Sequence, residues 1–255
     1  MRETIQRVLL PVATLLIALA IWQTLVSEAK IPPYLLPSPT EVGAAFWRKG
    51  NELWNGTLLT GVAALAGFAS AVVIGTLVAL LFSQSRLIRL SGYPYAIFFQ
   101  TVPIVAIAPW IVTLTGYGLP SVIVVATIIS LFPIITSTTT GLLSVDRGLD
   151  ELFRLHRATR WQTLWKLQFP AAIRYLVTGM KSSSGLAVVG AIVGEFFVGY
   201  SGTQHGLGYY IRSSSDNLKT DELFAAMICC TLLGVFVFVG INLTERYLLR
   251  RWTES

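Results

Sequence analysis

Few side chains in this sequence are equipped for chemistry, and their spacing narrows what they can do. Neither His156 nor His205 has the carboxylate and nucleophile neighbours of a catalytic set, or a second close ligand for a metal. Cys229 and Cys230 are adjacent inside an apolar run. Neighbouring cysteines rarely bridge, and two thiols without further ligands make no zinc site. Lys181-Ser182 follows Gly179, but a phosphate-binding loop requires glycine at 175 and 180, where Tyr175 and Met180 stand. The chain therefore lacks a recognisable ATP site of its own. No catalytic residue, cofactor or metal is expected, and no polar constellation suits an intramembrane enzyme.

What remains is a scatter of polar groups in apolar surroundings. Glu195 is the acidic residue deepest within an apolar run. Charges at membrane depth are costly, so it either lines or gates the outer part of a pathway or snorkels to the interface. Gln100, Thr101, Thr138 (in the run Thr136–Thr140) and Ser183 are further pathway candidates. Pro103, Pro109 and Pro133 lie close by and tend to kink helices where gates are built. The alternative for each hydroxyl is a bond to the carbonyl one turn back.

The elements that carry these groups are long apolar helices. Apolar residues make up 54% of the 255 positions and charged residues only 13%, about half a soluble domain's charged share. Six windows, near 8–27, 57–82, 94–115, 119–143, 175–199 and 223–249, reach the roughly 20 residues that span a bilayer. Runs of this length in lipid mean helices, and the alternation of a transmembrane barrel is missing. The fold class is all-α, a polytopic membrane protein with about six transmembrane helices and one domain over 1–255. The first window outlasts a signal-peptide core and is read as a retained helix.

Charge placement sets the orientation. Arg2, Arg7, Arg86, Arg89, Arg147, Arg154, Arg157, Arg160, Lys166, Arg174, Arg246, Arg250 and Arg251 fall on one side. Only Lys30, Arg48, Lys49, Arg212 and Lys219 fall on the other. That bias puts both termini in the cytoplasm and explains the net charge of +6 without nucleic acid. Gly67, Ala71, Gly75 and Ala79, and later Gly190 and Gly194, form small-residue stripes for close helix packing, within one subunit or across a dimer. The proline-rich stretch 31–39 breaks the first helix, and a short amphipathic helix restarts near Thr40. The turn Gly116–Pro120 makes its flanking helices antiparallel neighbours.

The most informative segment is the charged loop 144–174. Leu149, Leu152 and Phe153 fall at helical spacing among Asp150, Glu151, Arg154 and Arg157. A second stretch, with Trp161, Leu164 and Trp165, is expected to stop near Phe169-Pro170. Two short amphipathic helices at the inner membrane surface must bury their apolar faces in lipid, in the protein's own helix ends or in a partner.

This loop resembles the "EAA" loop of membrane subunits of binding-protein-dependent ABC importers, E-A-A-x-x-x-G followed by nine residues and I-x-L-P. Glu151, Ala158, Thr159 and Pro170 fit in register, and Leu167 stands in for the usual Ile or Val. Leu152-Phe153 replace the paired alanines, and Arg157 sits where glycine is usual. Further strings, Leu36-Pro37-Ser38-Pro39, Gln100-Thr101-Val102-Pro103, Ala108-Pro109, Gly194-Glu195 and Gly206-Leu207-Gly208, are similar to the nitrate/sulfonate/taurine/bicarbonate branch.

The resemblance implies a type I ABC importer permease-like subunit in the cytoplasmic (inner) membrane. It implies a homodimer, cytoplasmic ATPase subunits and an extracytoplasmic solute-binding protein as partners. It also implies coupling to the ATPase through Glu151, Leu152, Phe153, Arg154, Arg157, Ala158 and Thr159. An ion-coupled secondary transporter is the competing reading, although such proteins carry more charges within their spans. The solute is left open between small anions, such as nitrate or alkylsulfonates, and uncharged heterocycles such as vitamin precursors.

Overall fold

The computed structural model describes residues 2–198 and 205–253, with side chains for 9–98, 100–198 and 205–244. The end of the fifth window at 199 lies outside the described residues, and Arg2, Arg7, Arg246, Arg250 and Arg251 outside the described side chains. Among the described residues, ten α-helices follow one another: α1 Arg2–Glu28, α2 Pro39–Gln84, α3 Arg86–Thr101, α4 Ile104–Thr115, α5 Leu119–Leu143, α6 Arg147–Leu155, α7 Arg160–Thr163, α8 Phe169–Val198, α9 Leu207–Asp216 and α10 Thr220–Thr253. Among the described residues, five helical stretches are long and apolar enough to cross a membrane.

The window at 94–115 is the exception. The chain breaks there at Val102, whose backbone is extended (φ −67°, ψ 125°). Pro103 accounts for the break, because its ring disfavours helical geometry at the preceding residue and it has no N–H to donate. Two shorter helices therefore replace the expected continuous one, and α4, with 12 residues, is too short to cross alone. Pro109 and Pro133 are absorbed inside α4 and α5. Thr113 Oγ1 donates to the Pro109 carbonyl at 2.9 Å, and Thr136 Oγ1 to the Phe132 carbonyl at 3.0 Å.

The expected short helix near Thr40 is instead the start of α2, which runs unbroken for 46 residues apart from a kink at Lys49 (φ −109°, ψ 16°). Its start is fixed by Pro39 in the first turn and by reciprocal capping. The Glu41 N–H donates to Ser38 Oγ at 3.4 Å, while the Ser38 N–H donates to Glu41 Oε2 at 2.7 Å.

The centre of the bundle is α5, pressed between α2 and α8. Ala126 is gripped from both sides: a Cβ on Gly67 would lie 2.5 Å from its Cβ, and one on Gly190 2.7 Å from its Cα. The same contacts recur along both seams, where Gly75 meets Ile134, Gly194 meets Val122 and Gly179 meets the Pro133 carbonyl. Both small-residue stripes thus pack within one chain. Hydroxyls tie the seams as well, with Thr127 Oγ1 donating to the Gly67 carbonyl (3.3 Å) and Ser183 Oγ to the Ser130 carbonyl (2.7 Å). The turn at Gly116 and Gly118 folds α4 back on α5, where Ala108, Ile111 and Val125 pack together. Helix α10 covers α2 and α8 through Val237 and Ile241. Helix α1 is held mainly at its end, with Trp22 against Phe224.

Because Ala126 offers only backbone and one methyl group, added bulk on the facing glycines has nowhere to go. Gly190→Ala is expected to destabilise the protein by about 1–3 kcal/mol. Gly185→Ala, on the same helix with nothing within 4 Å of its Cβ, should be neutral or stabilising by up to about 1 kcal/mol. Thermal melting in detergent checks this, and equal melting of the two variants contradicts the seam.

Candidate functional site

The loop 144–174 folds as a knob at one end of the bundle. Asp146 starts α6, its Oδ1 accepting from the Gly148 N–H (2.8 Å) and the Leu149 N–H (3.3 Å). An Asp150–Arg154 ion pair at 2.9 Å braces the exposed side. No residue of α6 is buried. Leu149 and Leu152 are about half exposed, and Leu155 is 82% exposed. Phe153 is half-buried, and with Leu152, His156, Ala158, Gln162 and Lys166 it lines a groove of 310 Å³ between the two arms of the knob.

The turn between the arms is closed by Arg157 in the left-handed region, with φ 53°. The Ala158 N–H donates to the Phe153 carbonyl at 3.0 Å and the Arg157 N–H to the Arg154 carbonyl at 2.9 Å. This is a Schellman ending, whose left-handed residue is most often glycine. Arginine accepts the same geometry at a cost of about 1–2 kcal/mol. The next residues restart the helix: Thr159 Oγ1 accepts from the Gln162 N–H (3.3 Å), and the Thr159 N–H donates to Gln162 Oε1 (2.8 Å). Thr159 is thus a cap, and the turn geometry survives the replacement of glycine.

The second arm does not stop near Phe169-Pro170. It passes through a π-helical turn, Leu164–Gln168, straight into α8, and the Phe169 N–H donates to the Leu164 carbonyl. Widening by one residue relieves the clash between the Pro170 ring and the preceding turn, so proline is accommodated without a break. Trp161, Trp165 and Phe169 stack along this arm, with ring centroids 5.5 and 5.0 Å apart. Leu164 is buried against Ala79, Leu142 and Ala172, which seats the arm on α2, α5 and α8. The second arm of the knob is therefore continuous with α8.

At the opposite end Glu195, near the end of α8, is buried rather than snorkelling. Thr60 Oγ1 of α2 donates to Glu195 Oε1 at 2.8 Å, and the Gly208 N–H donates to Glu195 Oε2 at 2.8 Å. Thr60 Oγ1 in turn accepts from the Leu207 N–H at 2.8 Å. The carboxyl group thus accepts one of the free N–H groups at the start of α9, that of Gly208, and Thr60 accepts the one before it, that of Leu207. Gly206 and Gly208 are required here, because a Cβ on Gly206 would lie 2.0 Å from Glu195 Oε1 and one on Gly208 2.5 Å from the Ile192 carbonyl.

The remaining candidates do not converge with Glu195. Thr138 and Ser183 are fully buried in the helix packing of the single chain. Thr138 Oγ1 has no hydrogen-bond partner, whereas Thr136 and Thr140 bond carbonyls one turn back. Gln100 and Thr101 are exposed at the break between α3 and α4. Two features escaped the sequence reading. Leu155 is the most exposed apolar side chain of the knob, and it continues the three-residue spacing of Leu149 and Leu152. The partnership of Glu195 with Thr60 joins residues 135 positions apart, and no local pattern announces it.

Residues 71–254 match the family described as binding-protein-dependent transport system inner membrane component. The chain is 35% identical to the riboflavin transport system permease protein RibX of Chloroflexus aurantiacus, with 96% of this chain and 90% of that protein covered. It is 32% identical to the formylaminopyrimidine transport permease protein ThiX of Halalkalibacterium halodurans, covering 94% of each. Permeases named for aliphatic sulfonates, nitrate and taurine are similar at 24–28% identity. In fold, the chain is similar to a chain of the MetNI methionine ABC transporter in an inward-facing form, with TM-score 0.63 and 20% identity, covering 79% of this chain and 96% of that one.

The left-handed turn gives a direct test of the knob. Arg157→Gly should stabilise the protein by up to about 1 kcal/mol, and Arg157→Val should destabilise it, because a β-branched residue tolerates positive φ worst. Melting curves for the two variants in detergent check the order. A valine variant that melts with or above the glycine variant contradicts the turn.

Proposed function

This chain belongs to the binding-protein-dependent transport system inner membrane component family, and from that premise we propose how it couples and what it carries. It is the membrane-spanning subunit of an ATP-driven importer, a transport subunit with ATP hydrolysis on a separate chain. That membership selects ATP-driven import over an ion-coupled secondary transporter. Two copies pair, and the pathway runs between them with Gln100 and Thr101 facing it at the α3/α4 break. The knob end is cytoplasmic, with both termini on that side. Support comes from Arg86, Arg89, Arg147, Arg154, Arg157, Arg160, Lys166 and Arg174, all at that end.

The observation that carries the coupling assignment is a capped, self-braced helix pair with no buried residue on α6. A rigid apolar projection flanked by charges is what a docking element needs: Leu152, Phe153 and Leu155 as anchors, with Glu151, Arg154 and Arg157 setting the register. Ala158 and Thr159 hold the two arms at their angle. Movement of the ATPase then turns the knob, and the π-turn passes that rotation to α8. The seams carry α5 and α2 along, and Glu195 takes α9 with them. Delivery of the solute falls to an extracytoplasmic binding protein at the opposite end.

The solute is an uncharged nitrogen heterocycle of the vitamin-precursor kind. Two relatives above 30% identity, named for riboflavin and formylaminopyrimidine, support this over nitrate or sulfonates.

Phe153→Asp and Leu155→Asp should each lower co-purification of the partner ATPase about tenfold or more, with membrane insertion unchanged. ATP-dependent uptake should fall in parallel in vesicles containing the ATPase and binding protein. Wild-type levels of both in the two variants would sink the docking assignment.

A further inference from the structure

At the end opposite the knob, a cleft of 480 Å³ opens between α2 and the start of α9, lined by Glu52, Asn55, Leu58, Val62, His205 and Tyr210 among others. Its volume lies in the range of small-molecule sites. Two features show that the cleft is built. Gly56 forms a notch in α2, where a Cβ would come within 3.0 Å of the Tyr210 ring and 3.4 Å of the His205 carbonyl. The bond from the Gly208 N–H to Glu195 (2.8 Å) fixes the backbone immediately before Tyr209-Tyr210. The aromatic wall is therefore held on both sides.

The wall is formed by His205 and Tyr210, and Tyr209 backs it from outside the cleft. The rings of His205 and Tyr209 lie 3.8 Å apart and 15° from parallel, and Tyr210 stands at 90° to His205. Flat aromatic surface on one side and the exposed side chains of Leu58 and Val62 on the other suit the faces of a planar ring system. The polar groups sit where a ring edge would be read. Asn55 offers both donors and an acceptor, and Glu52 offers acceptors only.

Charge decides against an anion. Lys49 Nζ donates to both carboxylate oxygens of Glu52, at 2.9 and 2.8 Å, and Lys219 Nζ lies 3.8 Å from Glu222. Neither lysine lines the cleft; both border the adjoining cavity that shares Glu52, His205 and Tyr210, and both are already compensated. Nitrate or a sulfonate needs an uncompensated cation or several convergent N–H donors.

We infer that this cleft is a receiving site for a planar, uncharged nitrogen heterocycle, packed against the aromatic wall of Tyr210 and His205 and held at its edge by Asn55. The inference rests on the heterocycle reading of the solute and adds where this chain first meets it.

The test uses the chain assembled with its ATPase in lipid nanodiscs, with riboflavin as the fluorescent probe and aminopyrimidine as competitor. Riboflavin fluorescence is expected to be quenched on binding, with aminopyrimidine displacing it and methanesulfonate or nitrate leaving it in place. Asn55→Leu and Tyr210→Ala should each weaken binding about tenfold, the scale of a lost stacking or edge contact. Tyr210→Phe should stay within about twofold of wild type, since the ring remains. Asn55 is an exposed position, so an unchanged melting curve for Asn55→Leu separates lost binding from lost folding. If the wild type quenches riboflavin and both variants quench it equally, the cleft is overturned while the heterocycle reading stands. If the assembly binds methanesulfonate or nitrate and neither heterocycle, the solute reading fails and the cleft with it. Absence of any heterocycle binding by the folded wild type overturns the cleft as well.

Discussion

In a hydrocarbon solvent an apolar helix face gains nothing by leaving lipid for another apolar face, so helices hold together only where their backbones come very close. That constraint is met in this chain along α5. Gly67 and Gly190 close on Ala126 from opposite sides, and Gly75, Gly179 and Gly194 repeat the approach above and below. Dispersion between backbones at this spacing, with the Thr127 and Ser183 hydroxyls donating across the seams, supplies the cohesion that water supplies in soluble proteins. Three helices then behave as one slab, and everything functional is attached to its two ends.

At one end the second arm of the knob runs into α8 through a π-turn, so no loose linker separates it from a spanning helix. At the other end a buried carboxylate, a threonine hydroxyl and two backbone N–H groups fasten α9 to α8 and α2. Breaking any of these bonds would leave a buried polar group unpaired, which is costly in a dry site. The α3/α4 break and α1, which is held mainly at one end, lie outside these seams.

Much of this was legible in the sequence, for reasons that differ between elements. Long apolar runs give helices in lipid whatever their detail, so α1, α2, α5, α8 and α10 were visible from composition and length. The knob was visible because amphipathic spacing and charge are local signals. The break at Val102 was misread as a kink, since proline permits both and the choice depends on the neighbouring packing. The stop expected at Phe169-Pro170 failed for a related reason: one extra residue in a π-turn lets a proline pass, and nothing local encodes that allowance. Arg157 shows the reverse case. Arginine stands where glycine is usual and leaves the turn geometry open in the sequence, yet the Schellman bonds and the Thr159–Gln162 capping box on its two sides hold it at positive φ. The Glu195–Thr60 contact had no local signature at all, because it joins α2 to α8 across the fold.

The central claim is that the knob, α8 and α9 move as a single body. Spin labels at Arg147→Cys and Ser215→Cys, in a Cys229→Ser/Cys230→Ser background, report it by pulsed dipolar distances in dimers carrying one doubly labelled copy. The account predicts that this distance within one chain stays the same between nucleotide-free and ATP-trapped states. In separate dimers labelled at Ser215→Cys alone on both copies, the distance between copies should change between the same states. A change within the chain, with the distance between copies unaltered, would contradict it.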